Sequence, residues 1–246
     1  MKYFVINFWC MRIDLMQSDA EVQERLDQDF KKIESAVGLD QLLERINELV
    51  SKETSHVQVV SLVGGAGSGK TTLAKKMIER LPESDSISTD DYVIGTRLDR
   101  SKLEGKDPIL KYDFDLLRRN VDKIREGRPV LVPHYDDASG IAVAAEEYSH
   151  RVPKVKTLIV EGDFHPLRDA DVVLYLHVSD EVRLQNRIKR DTRIRAATDE
   201  DGIKENFLLR QRIQHIPYTL PVARFADLII EGIPGEEYRY NLYQRK

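Results

Sequence analysis

Residues 64–71 read Gly64-Gly65-Ala66-Gly67-Ser68-Gly69-Lys70-Thr71 and fill every fixed position of G-x-x-x-x-G-K-[ST]. Each residue type suits a chain of phosphates. The glycines let the backbone curl until successive N–H groups converge on anionic oxygens. A helix starting at this point adds the partial positive charge of its N-terminus. Lys70 would reach the β- and γ-phosphates, the Thr71 hydroxyl would ligate magnesium, and Thr72 continues the first helical turn. A chance glycine-rich turn can satisfy the same pattern. Here, however, the loop follows the β-branched run VQVVSLVG and precedes the helix-like TLAKKMIERL. Strand, loop and helix in that order mark a site for ATP or GTP.

Phosphoryl transfer to a hydroxyl also needs a group that orients the acceptor and takes its proton. In an open α/β sheet that group belongs at a strand's carboxyl end, beside the phosphates. Asp90 qualifies, following a short strand at 86–88, and Asp91 is next in line. An acidic pair in this position can also be a helix N-cap. Glu161 ends another strand and, with Asp163, could hold magnesium or its waters; a solvated turn acid is the alternative. Arg183, Arg187 and Arg190 stand four and three residues apart and so share one helix face, with Arg193 and Arg195 extending the cluster. Such guanidinium groups neutralise charge on a phosphoryl in transfer, and a mobile lid brings them in with substrate. The alternative is a solvated face on which Asp191 pairs with Arg187 or Arg195. Tyr92, Tyr112, Asp113, His134 and Tyr135 are candidates for holding the acceptor, since an aromatic stacks on a base or sugar and a carboxylate accepts from vicinal hydroxyls. Any of them can equally be core or surface.

These residues must be positioned by the elements around them. Besides the strand entering the glycine loop, short apolar segments at 86–88, 130–132, 157–160, 172–176 and 228–230 read as strands. Helical patterns lie between them, notably over 114–125 and 180–190. Strands alternating with helices predict a three-layer α/β/α fold, a mostly parallel sheet covered on both faces. Ahead of it, residues 18–52 carry apolar positions at spacings of three and four and predict two helices broken at Gly38, with Asp40 near the second start. The expected organisation is therefore a helical extension over 1–53 and a kinase-like domain over 54–246, with a lid at about 183–200. The extension would pack on the main domain or on a second subunit of a homo-oligomer. The opening run MKYFVINFWCMRIDLM is interrupted by Asn7 and Arg12 and is too short to span a bilayer. It reads as a first strand, or as an upstream extension with translation starting at Met11 or Met16.

Composition narrows the partners. The 246 residues include 38 basic and 42 acidic side chains, a net charge of −4, which gives no electrostatic reason to expect a nucleic acid or a membrane surface. The single cysteine, Cys10, excludes an internal disulfide and a cysteine-built metal site, and fits a reducing, cytoplasmic compartment. No N-K-x-D segment of a guanine-specific switch occurs.

Six segments in order resemble the uridine kinase and phosphoribulokinase family. They are the glycine loop, SISTDDY, YDFDLLRRNVDKIREGRPVLVPHYD, LIVEGDF, RLQNRIKRDTRIR and PVARFADLII, together running from about Val57 to Ile230. The resemblance implies that Asp90 matches the catalytic acid, Glu161 the acidic residue of the Glu-Gly strand end, Arg187 and Arg190 the lid core, and Tyr135 a loop tyrosine beside the acceptor. Three positions depart from it. Gly140 stands where uridine kinases carry a histidine that helps read the pyrimidine, DPILK replaces "H-P-D-A" before Tyr112, and Ala197 replaces a later lid arginine that Arg193 could substitute. These losses concern the base and ribose, so the resemblance implies a hydroxyl kinase whose acceptor is a nucleoside, sugar, polyol, hydroxy-acid or related metabolite. ATP and Mg²⁺ are the expected cofactors. A nucleotide-regulated switch and a kinase acting on a macromolecule are the competing expectations.

Overall fold

A computed structural model describes residues 24, 26, 28–50, 56–96, 99–100, 107–136, 139–143, 150–164, 167, 169–194, 199–236 and 238–246. The opening run at 1–16, Arg195, Ala197 and the proposed boundary at 53 lie outside the described residues. The elements in chain order are β1 (Phe30–Val37), α1 (Leu39–Val50), β2 (Gln58–Gly64), α2 (Lys70–Arg80), β3 (Ser84–Ser88), α3 (Phe114–Arg125), β4 (Val130–Val132), β5 (His134–Asp136), β6 (Ile141–Val143), β7 (His150–Val152), β8 (Thr157–Gly162), β9 (Val172–His177), α4 (Asp180–Ile194), α5 (Glu200–Arg210), β10 (Leu228–Gly232) and β11 (Tyr240–Arg245).

Seven strands form one sheet in the order β1-β11-β10-β9-β2-β8-β3. The five from β10 to β3 pair in parallel, and β11 and β1 close one edge antiparallel. Every residue of β2 is buried, as a strand covered on both faces requires. Its alternate side chains serve different layers. Val60 and Leu62 pack with α1 and α2 through Leu42, Ile46, Leu73 and Met77. Val59 joins a cluster with Leu117, Val121 and Ile124 of α3, and Val63 one with Leu220 and Val222. Between β2 and its neighbours β8 and β9 the chain reverses its direction of travel across the sheet. Ligands of open α/β sheets bind at the strand ends beside such a reversal.

Two expectations need correcting. Residues 30–37 form a strand, not a helix: β1 pairs with β11 from Phe30↔Arg245 to Val37↔Tyr240. Two bulges in this ladder spread the buried positions irregularly along β1, which imitates a helical spacing, and the partner strand is far away in sequence. The predicted second helix is present as α1, with Leu42, Leu43, Ile46 and Val50 buried. Residues 30–50 therefore belong to the sheet and to one of its covering layers. The second correction concerns 130–132, which pairs antiparallel with β7 in a separate ribbon outside the parallel sheet. Leu131 in its middle is 48% exposed, the mark of a strand covered on one face only.

Candidate active site

The glycine loop leaves β2 at the sheet's carboxyl edge. Gly67 and Gly69 take the left-handed conformation (φ 84° and 93°), and a side chain at Gly67 would run into the carbonyl of Arg183. Gly69 caps α2 without any side-chain hydrogen bond, so the first-turn N–H groups stay open to an anion. The buried Ser68 Oγ likewise has no partner among the described residues. Both features fit a loop made to hold phosphate oxygens. Lys70 is buried at the helix start, with Nζ donating to Gly65 O at 3.2 Å and to Asp163 Oδ1 at 2.7 Å. The Thr71 hydroxyl donates to Glu161 Oε1 at 2.9 Å. The two acids at the end of β8 thus have distinct partners. Asp163 also accepts from Gln214 Nε2 at 2.8 Å.

The acidic pair after β3 separates in the same way. Ser88 caps the short 3-10 turn Thr89–Tyr92 in a capping box, and Asp91 completes it by accepting from Ser88 N at 3.1 Å. Its other oxygen accepts from Tyr135 N at 2.9 Å. The capping alternative therefore belongs to Asp91. Asp90 faces an open cleft of about 420 Å³, where among the described residues the Tyr112 hydroxyl donates to its Oδ1 at 3.4 Å.

Along α4, the shared arginine face splits. Arg183 is buried beneath the glycine loop, paired with Asp180, 3.4 Å from His215 Nδ1 and over the Phe207 ring. It supports the loop without lining the cleft. Arg187 and Arg190 do line it. Asp191 braces both, accepting from Arg187 Nη2 at 3.3 Å and from Arg190 Nε at 3.1 Å. Asn186 Nδ2 ties the same helix to Gly67 O at 3.0 Å. Arg193 is exposed and outside the cleft wall.

Of the acceptor candidates, Tyr112 and Tyr135 line the cleft. Tyr112 stacks on Phe114 with ring centroids 5.3 Å apart and meets Phe164 edge-on at 5.1 Å. Tyr92 does not reach the cleft: it is 2% exposed, packs with α3, and its hydroxyl accepts from Asn120 Nδ2 at 3.1 Å. The 3-10 turn that aims Asp90 outward turns Tyr92 inward. Asp113 caps α3 by accepting from Leu116 N, and His134 lies exposed on β5 outside the wall. Sequence reasoning missed Arg100, Lys111, Arg210 and Gln214, all of which line the cleft. Only the adjacency of Lys111 to Tyr112 could have signalled one of them.

A family model described as "Phosphoribulokinase / Uridine kinase family" matches residues 59–238. A uridine kinase of Staphylococcus epidermidis is 32% identical over 185 residues, covering 70% of this chain and 86% of that protein. The chain belongs to the phosphoribulokinase/uridine kinase family. It is a P-loop kinase that phosphorylates a hydroxyl group of a small molecule. The same fold occurs in a D-glycerate 3-kinase from Cryptococcus neoformans (TM-score 0.57, 15% identity, 81% of this chain and 98% of that one). It occurs too in the phosphoribulokinase from Rhodobacter spheroides (TM-score 0.55, 16% identity, 74% and 72%).

The electrostatics of this family member follow from its partners. Burial works against the Asp163 carboxylate, but Lys70, by charge and hydrogen bond, outweighs it and holds the pKa below the usual range. Glu161 is pushed up by burial, with Lys70 and the Thr71 hydroxyl opposing. Asp90 is raised by the crowding of the cleft walls and by repulsion from Asp163, against Arg210, Lys70 and Arg190. Water in the open cleft tempers that rise. His215 is held neutral by burial and by the Arg183 charge. The two described departures from the family pattern also have a structure. Asp107 caps the turn Pro108–Lys111 and accepts from the Tyr218 hydroxyl at 2.9 Å, and the Gly140 carbonyl accepts from Arg100 Nη2 at 2.6 Å.

Proposed function

We propose that the chain transfers the γ-phosphoryl group of ATP, with Mg²⁺, to a hydroxyl held beside Asp90. The observation that carries this reading is the division of labour between Asp90 and Asp91: the backbone occupies one, while the other is left facing the cleft. The glycine loop and Lys70 hold the triphosphate. Lys70 exchanges Asp163 for phosphate oxygens as the nucleotide enters. Asp90 accepts the acceptor's hydroxyl proton as its oxygen bonds to phosphorus and the bond to the β-phosphate oxygen breaks. A carboxyl pKa raised towards working pH makes Asp90 a stronger base than an ordinary aspartate. Arg187 and Arg190, braced by Asp191, stabilise the charge on the moving group. Tyr112 and Tyr135 flank the acceptor.

The fit of Mg²⁺ is supported by the Thr71 hydroxyl and the Glu161 carboxylate, two hard oxygen donors already in contact. No cluster of three or more His, Cys, Asp or Glu suited to a metal occurs among the described residues. The protein would thus offer these two oxygens and the triphosphate the rest, and the bound ion would neutralise phosphate charge. The single cysteine supports a cytoplasmic protein, and the balance of charge gives no electrostatic reason for a nucleic acid or membrane partner. No helix among the described residues is long and apolar enough to cross a membrane.

The test is ADP release with ATP and Mg²⁺ over a panel of nucleosides, sugars, polyols and hydroxy-acids. One acceptor should raise turnover well above the basal rate, and Asp90→Asn should lower kcat by about 10²–10⁴ while leaving the KM for ATP within about twofold. Full turnover by the Asp90→Asn enzyme would remove the base from the mechanism.

A further inference from the structure

The cleft of this acidic chain is cationic. Among the described residues its wall carries six cationic side chains and three carboxylates, although the chain's net charge is −4. The carboxylates have their functions: Glu161 faces Thr71, Asp163 faces Lys70, and Asp90 faces the acceptor. Lys70, Arg187 and Arg190 adjoin the glycine loop and α4, the end that receives a triphosphate. Arg100 and Arg210 remain, on the same wall as Tyr112, Asp90 and Lys111.

Among the described residues, Arg100 is held by carbonyls alone. Its guanidinium donates to the carbonyls of Gly95 at 2.7 Å and Gly140 at 2.6 Å, and no carboxylate among the described residues pairs with it. Two neutral acceptors fix the group in place without neutralising it. Arg210, at the end of α5, acts on Asp90 and Asp163 without forming an ion pair with either. A neutral acceptor bound here would displace water from both guanidinium groups and give no anion in return. A carboxylate or phosphate would match their forked donors, and the partly desolvated cleft would strengthen the pairing.

We propose that the phosphate acceptor is itself an anion: a small polyhydroxylated compound whose carboxylate or phosphate group is held by Arg100 and Arg210, beside Lys111, while one of its hydroxyls lies at Asp90. The inference rests on the kinase reading above and gives it a substrate class.

Matched pairs test it on the unaltered enzyme: ribose against ribose 5-phosphate, and glycerol against D-glycerate. Each compound is assayed for ATP-dependent phosphorylation and, by calorimetry, for binding in the presence of a non-hydrolysable ATP analogue. The anionic member of at least one pair should exceed its neutral partner by about tenfold or more in kcat/KM, the worth of one charge-assisted hydrogen bond. Which pair responds tells phosphate from carboxylate. Arg100→Gln should raise the KM for that anion about tenfold while the KM for ATP stays within about twofold, and Arg100→Lys should recover part of the loss. Neutral members phosphorylated as well as the anions would overturn the inference and leave the kinase reading standing. Anions that bind while no member of any pair is phosphorylated would leave the anion site standing and overturn the placement of the acceptor hydroxyl at Asp90. If neither anion binds, the inference fails.

Discussion

The two ends of the cleft are built on opposite plans. The proposed donor end is one uninterrupted stretch, residues 64–72, built largely from backbone, with Gly67 and Gly69 in a conformation that favours glycine. The acceptor end is gathered from separate places: the turn Thr89–Tyr92, the turn Pro108–Lys111, the β5–β6 ribbon and the end of α5. Only tertiary packing brings these pieces together, and single hydrogen bonds hold the joints, such as Asp91 to Tyr135 and Arg100 to Gly140. A backbone site fixes what is bound, and the ligand proposed here is a triphosphate. An assembled site can change its ligand through one side chain without disturbing the other end.

The sharpest way to break this contrast is at the donor end. Lys70→Ala removes the cation proposed to meet the phosphates and leaves the half-buried Asp163 without its ammonium partner. We expect kcat to fall about 10²–10³-fold with a higher KM for ATP, whichever acceptor is supplied. A loss confined to the acceptor KM would mean that the two ends are not separable. Glu161→Gln should raise the Mg²⁺ concentration for half-maximal rate about 10–100-fold, read by titration at saturating ATP.

Proton linkage probes the boundary between the two ends. Asp90 must be ionised to act as base, and its pKa is raised in the folded protein, so activity should be lost as pH falls through a value above the ordinary carboxylate range. Arg210 lowers that pKa, so Arg210→Gln should move the acid limb of kcat/KM to still higher pH. An unmoved limb would assign the titration to another group. The smallest effect belongs to a residue that lies outside both ends. Tyr92→Phe removes one buried hydrogen bond to Asn120 and should cost about 1–2 kcal/mol of stability, measured by denaturant unfolding, with the acceptor KM unchanged.

The same contrast explains what could be read in the sequence. The glycine loop was legible because its chemistry is local, a spacing of residue types that either is or is not present, whereas Glu161 stood out as a strand-end acid on which the family resemblance falls. The parallel sheet was legible from short apolar runs such as 172–176, buried along their length in β9. Asp90 ranked above Asp91 through the family resemblance alone, since the physical difference lies in which carboxylate meets the N–H of Tyr135, 44 residues away from Asp91. Tyr92 looked as available as Tyr112 because a 3-10 turn rotates neighbouring side chains in directions that sequence does not announce. Arg100 and Arg210 belong to no motif, and only tertiary packing brings them to the cleft, Arg210 from the end of α5. Strand β1 was mistaken for helix because its ladder partner is at the far end of the described chain.

That ladder has a consequence for how the protein is made. The hydrogen bond from Ala36 N to Asn241 Oδ1 joins residues separated by 205 positions. During synthesis β1 emerges long before β11 exists, and it must wait, unpaired, while the parallel strands assemble. Its bulges and its exposed Lys31 and Lys32 make it a poor template for pairing with a neighbouring nascent chain. Closing the sheet edge is therefore a late, long-range event in the folding of this kinase, after its phosphate loop already has its flanking strand and helix.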